Sequence, residues 1–223
     1  MPYIDKLYIS HLPSLFQSDK LTFQPCPTNL DKLDAPLPKK YEMSFIGSNY
    51  SADRLKSIKQ IANICNVTVF GGRWENFGIK IGGRIAFEEF PKVVAESHFC
   101  LGSLPFMFCE WSGNHHCLYN KTKVKGLCID ESCSDYSPKH GYFSNRVMNL
   151  CGSGGAVLMY NSKGIDDIFT DGHDAIFYKD LNDLSAKINH YRKNLGELQE
   201  IGHNAYITSK KHTFNIVAQS IIQ

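Results

Sequence analysis

No stretch of the 223-residue chain approaches the roughly 18 consecutive apolar residues that a conventional membrane helix needs, so no membrane span is expected. An excess of one charge is lacking too. Lys and Arg total 24 against 22 Asp and Glu, and a formal charge of +2 provides no basic field for nucleic acid. The opening MPYIDKLYISHLP has neither the basic start nor the apolar core of a secretion signal, and a cytoplasmic protein is the expectation. Internal repeats and low-complexity tracts are absent. Paired CxxC spacing is absent as well, although the chain holds 8 cysteines. In that compartment they are expected as reduced thiols. Cys65, Cys100 and Cys151 stand in apolar contexts as small buried hydrophobes.

Hydrophobic residues make up 43% and charged residues 21%, the balance of a globular chain long enough to bury a sizeable core. Residues 1–40 carry Pro2, Pro13, Pro25, Pro27, Pro36 and Pro38. Proline removes backbone donors and biases the preceding residue away from helix, so this segment is expected as an extended arm or linker.

From Tyr41 a regular alternation begins and continues through 223. YEMSFIG predicts a strand stopped by Gly47. SADRLKSIKQIANIC follows with Ser51 placed to cap a helix and Leu55, Ile58, Ala62 and Cys65 on one face. VTVFGG is a β-branched strand ended by glycines, FEEFPKVVAESH a helix and FCLG a short buried strand. After an insert at about 103–140 come a helix from Ser144, the strand GAVLMY, a short helix around Ile165–Phe169 and the strand AIFY. Helices near Asn182–Lys193 and Leu195–Ser209, and a last one after His212, complete the pattern. Strand and helix in alternation predict an α/β, Rossmann-like parallel sheet with helices on both faces. Ligands of such sheets bind at the carboxyl ends of the strands.

Two loops at strand ends have the composition of an anion site. In GSNYSADR, Gly47 allows close backbone approach, Ser48 and Asn49 offer short polar side chains, and Arg54 follows one turn into the helix. In GYFSNRVMNLCGSGGAVLM, Ser144, Asn145 and Arg146 open a helix, and Gly152, Gly154 and Gly155 turn the chain back into a strand. A helix N-terminus presents unpaired N–H groups and about half a positive charge. Arg146 is expected to face solvent there, contributing little to folding and reaching an anion with its planar fork. An ordinary turn and an ordinary helix cap with a surface arginine are the alternatives. The insert holds Cys109, His115, His116, Cys117, Cys128, Cys133 and His140, all zinc-type ligands, but without paired spacing it reads as a long functional loop carrying Trp111 rather than a metal site.

Taken in order, MSFIGSNYSADR, VTVFGG, FSNRVMNLCGSGGAVLM, GIDDIFTDGHDAIFYKDLNDLSAKI and KKHTF resemble the nucleotide-binding, C-terminal half of a GT-B glycosyltransferase of the group-1 superfamily, nearest in flavour to its spore-maturation-type group. The resemblance runs from about Glu42 onward. It implies a single Rossmann-like GT-B half that binds a nucleotide-sugar, UDP- or GDP-linked, without a metal or cofactor. Gly47, Ser48, Asn49 and Arg54, with Ser144, Asn145 and Arg146, would face the diphosphate. Arg84 and Phe87 would lie by the base, and His212–Phe214 would join the closing helix. Asn149 stands where the family carries a carboxylate toward the donor, and Gly141 where relatives often carry another. The implied activity is hexosyl or pentosyl transfer to a glycan or other acceptor. It would run by positioned electrostatics with no catalytic base identified, and with acceptor binding by a separate domain or subunit. A non-catalytic donor-binding module acting with a partner is the alternative, and a zinc-stabilised interaction domain built on the insert is a third.

Overall fold

The computed structural model describes residues 26–49, 52–109, 144–162 and 164–222, together with short strands at 7–9, 21–23, 123–124, 127–128 and 136–141. Its centre is a six-stranded parallel sheet. The strands are β1 (Tyr41–Ile46), β2 (Val67–Phe70), β3 (Lys80–Gly83), β4 (Ser97–Leu101), β5 (Val157–Tyr160) and β6 (Ile176–Tyr178), in spatial order β6-β5-β4-β1-β2-β3. The chain first builds outward from β1 to β3. It then returns to place β4 on the other side of β1, where Tyr41 pairs with Ser97 and Met43 with Phe99. That reversal makes a topological switch point between β1 and β4.

Parallel strands are covered on both faces, so their side chains alternate between two cores rather than between core and water. Phe99, Leu101 and Leu158 join Leu55 and Ile58 of α1 (Ala52–Ala62) and Leu184 and Ile188 of α4 (Leu181–Lys193) in one cluster. Cys100, Val157 and Met159 join Val94 of α2 (Phe90–Ala95) and Val147, Met148 and Leu150 of α3 (Asn145–Gly152) in the other. Leu158 is fully buried, and its truncation to alanine would cost about 2–5 kcal/mol. The three thiols expected inside are buried, and burial pushes Cys65 up to about 12 and Cys100 up to about 11. Helices α5 (Leu195–Ser209) and α6 (Phe214–Ile222) follow. No helix among the described residues is long and apolar enough to cross a membrane.

Residues 26–40 form no helix and lie along the domain. Thr28 N donates to His212 O at 3.0 Å, Asp31 N to Gly152 O at 3.0 Å and Lys40 N to Glu96 O at 2.8 Å. Two local expectations fail. Ile165–Phe169 is a set of turns with Ile165 and Phe169 buried, not a helix. Gly164 enters it at φ +89°, and a single turn of chain cannot meet the cost of helix nucleation. The edge strand β3 was not expected, because its KIGG sequence is largely exposed and half glycine. Ser51, the expected cap of α1, lies outside the described residues.

Candidate functional site

The carboxyl ends of β1 and β2 are joined backbone to backbone. Gly47 N donates to Phe70 O at 2.7 Å, Asn49 N to Gly72 O at 3.0 Å, and Gly72 N to Ser48 Oγ at 3.1 Å. Gly71 sits at φ +134°, and a Cβ there would stand 2.8 Å from the carbonyl carbon and oxygen of Gly47. Only glycine permits that approach. Beneath the loops, fully buried Trp74 donates from Nε1 to Gly47 O at 2.8 Å and meets the Phe45 ring edge-on. Arg73 and Asn76 hold left-handed backbones at φ 67° and 69°. Such conformations cost of order 1–3 kcal/mol each and persist where surrounding structure enforces them.

These loops open into a cleft of about 440 Å³, bounded by Ile46–Ser48, Phe70–Arg73, Arg84 and Ile85. Its polar lining residues are Ser48, Arg73 and Arg84, beside the glycine backbone. No carboxylate among the described residues lines it. The Arg84 guanidinium lies over Gly72, whose added Cβ would stand 3.1 Å from Nη2. A cleft of this kind attracts an anionic ligand and lets it approach the main chain closely.

Arg146 occupies the switch point itself. Its Nη1 donates to Ile46 O at 3.3 Å and its Nη2 to Gly102 O at 2.7 Å, so one side chain bridges the ends of β1 and β4. Gly47 leaves room for it, since a Cβ there would stand 2.8 Å from Nη1. The expectation of a solvent-facing arginine is therefore corrected. Carbonyls are exposed where neighbouring strands diverge, and a planar fork of donors satisfies two of them at once. Arg54, 8% exposed, donates from Nη1 to Ser48 O at 2.7 Å and so braces the same loop from α1. Ser144 caps α3, its Oγ accepting from Arg146 N at 3.3 Å, while its own N–H reaches Ser103 Oγ at 3.4 Å.

The fold thus gathers Gly47, Ser48, Asn49, Arg54, Arg146 and the start of α3 around the ends of β1 and β4. Asn49 is buried, and its Oδ1 has no protein partner. Asn145 is exposed at the first position of α3. Asn149 accepts from Thr28 Oγ1 at 3.0 Å, which engages it with the extended segment. Phe87 is 57% exposed, stacks on Phe90 and does not line the cleft; Arg84 and Ile85 do. Gly71, Gly72, Arg73 and Trp74 escaped the sequence reading. The signal is GGRW, whose glycines read as the stop of β2 and whose arginine and tryptophan carry no local mark. His115, His116, Cys117, Cys133 and Trp111 of the insert lie outside the described residues.

Comparison with known proteins agrees with this fold. No curated protein matches the chain by sequence. Among solved structures it is similar to sucrose-phosphate synthase from Thermosynechococcus elongatus, with 14% identity, TM-score 0.60, and 92% of this chain against 52% of that one. It is similar to Anabaena HepE in complex with UDP, with 11% identity, TM-score 0.61, and 92% of this chain against 57% of that one. A glycosyltransferase from Rickettsia africae aligns at 12% identity and TM-score 0.57, over 93% of this chain and 57% of its own. The chain spans little more than half the length of these proteins, and at such identity the likeness establishes the shared Rossmann-like fold. The sequence profile of the glycosyl transferase-like family matches residues 52–223, most of the chain and every element of the sheet after β1, and the chain belongs to that family.

Proposed function

We propose that the cleft holds the diphosphate and base of a nucleotide-sugar, UDP- or GDP-linked. The chain then acts as the donor half of a hexosyl or pentosyl transferase, related to the spore-maturation-type group, with a glycan or other acceptor held by a further domain or subunit. Cytoplasmic placement is part of this reading. The observation that carries it is the backbone-to-backbone contact of Gly47 and Gly71 at the carboxyl ends of β1 and β2, in a cleft lined by Arg73 and Arg84. HepE, which shares the fold, has been solved with UDP and with UDP-glucose, and this supports the reading.

In this reading the leaving nucleoside diphosphate is stabilised by donors already in place, the principal electrostatic device of group transfer. The first turn of α3, Asn145 included, and the cleft arginines supply the donors. Arg146 and Arg54 act one layer back, fixing the carbonyls of Ile46, Gly102 and Ser48 so that the Gly47–Asn49 loop and the start of α3 keep their spacing. Asn149 Oδ1 accepts from the Thr28 hydroxyl, and its Nδ2 is the group it would offer to the donor. No bound metal is required by this arrangement. Calorimetry with UDP, GDP and ADP tests it. Binding of UDP or GDP in preference to ADP is the expected result, and the absence of heat and of thermal stabilisation with all three would sink it.

A further inference from the structure

The amino-terminal ends of β4 and β5 face away from the donor cleft and floor a second hollow of about 120 Å³. Four basic side chains from three separate segments line it. Lys32 and Lys39 come from the extended segment, His98 from β4 and His203 from α5. No carboxylate among the described residues lines it. Lys32 Nζ lies 3.5 Å from His203 Nδ1. Lys39 Nζ donates to Ala95 O at 2.9 Å and Ser97 O at 2.7 Å, which fixes the ammonium at the rim with a third N–H to offer. The hollow runs along one face of α5, from Leu195 through Leu198 and Gly202 to His203.

Carbonyl contacts explain Lys39, and the Tyr206 ring, 5.3 Å from Lys32 Nζ, helps to seat Lys32, but neither supplies the negative charge that would balance four basic groups around one hollow. Gathering them has a cost. Burial, and then the Lys39 ammonium, push the His98 imidazole below its ordinary range, with the Glu42 carboxylate pulling the other way. Burial lowers Lys39 as well, against a smaller opposing effect of Cys100. A bound anion removes that repulsion.

We infer that this hollow is an oxyanion site for a phosphate group, distinct from the donor cleft, with Lys32 and His203 on one side and Lys39 and His98 on the other. The inference does not rest on the donor reading, because its test follows residues at the opposite end of the sheet. Inorganic phosphate is titrated into the full chain at constant ionic strength, and the imidazole resonances of His98 and His203, assigned through His98→Gln and His203→Gln, are followed by NMR. Saturable shifts of both are expected, and with phosphate bound the protonation midpoint of His98 should rise. Lys32→Glu, on the exposed rim, should weaken the midpoint by roughly tenfold or more without lowering the melting temperature. Lys39→Met should weaken it too, and any loss of fold there leaves Lys32→Glu as the deciding variant. Shifts that fail to saturate, or that persist unchanged in Lys32→Glu, would overturn the site.

Discussion

The guanidinium carbon of Arg146 lies 4.2 Å from the centroid of the Phe45 ring, so the charge that bridges two strand ends rests on an aromatic face inside the sheet. Arg54 approaches the same ring at 5.6 Å. A cation over a ring gains from the ring's quadrupole, more so when partly removed from water.

Arg146→Ala should therefore lower stability and donor affinity together. Two carbonyls lose charge-assisted hydrogen bonds of about 1.5–3 kcal/mol each, partly regained from water. Arg146→Lys should recover only part of either quantity, since an ammonium cannot span both acceptors in one plane. Paired melting curves and UDP calorimetry check this. An Arg146→Ala protein that melts early yet binds UDP as the parent does would remove the arginine from the donor argument.

Gly71 and Gly78 make a matched pair. Both hold positive φ, but a Cβ at Gly71 meets the Gly47 backbone at 2.8 Å, whereas one at Gly78 meets nothing within 4 Å. Gly78→Ala should cost about 1 kcal/mol of backbone strain, and Gly71→Ala more than about 2 kcal/mol with loss of the cleft. Denaturant titration of the two variants separates strain from collision. Equal effects would mean that the two loops do not touch.

Glu42 gives a pH dependence with a definite sign. Burial alone would raise its pKa. The Asn66 N–H at 2.8 Å and the Arg192 guanidinium, with Nε at 2.6 Å, outweigh burial and hold the carboxyl below its ordinary range. The folded value lies below the unfolded one, so the stabilisation is complete above the unfolded pKa and is lost as pH falls through the folded pKa. Glu42→Gln should cost about 1 kcal/mol at neutral pH, discounted for a partly exposed partner, and the difference from the parent should close in acid. A difference that is constant with pH would assign the loss to packing.

The sheet was legible because its evidence is local. VTVF, AVLMY and AIFY announce buried strands by composition, and α4 and α5 fall where apolar spacing put them. The loops at the ends of β1 and β4 were legible as places, through Gly47 and the Ser144 cap. What escaped depends on contacts distant in sequence. Nothing in SNRVM indicates that the arginine turns inward to carbonyls at residues 46 and 102. Nothing in GGRW indicates that its indole supports residue 47. The resemblance implies Phe87 beside the base, whereas a short helical turn carries its ring to Phe90 and away from the cleft lining.

The bond from Thr28 N to His212 O also sets an order of events during synthesis. Thr28 leaves the ribosome early, yet its acceptor is made only after all six strands and α5. Until then the Thr28 N–H has no seat against the end of α5, although the α3 groups that meet Thr28 Oγ1 and Asp31 N are already made. Closure of the Thr28–His212 bond is thus a late step, set by the order of the chain rather than by local propensity.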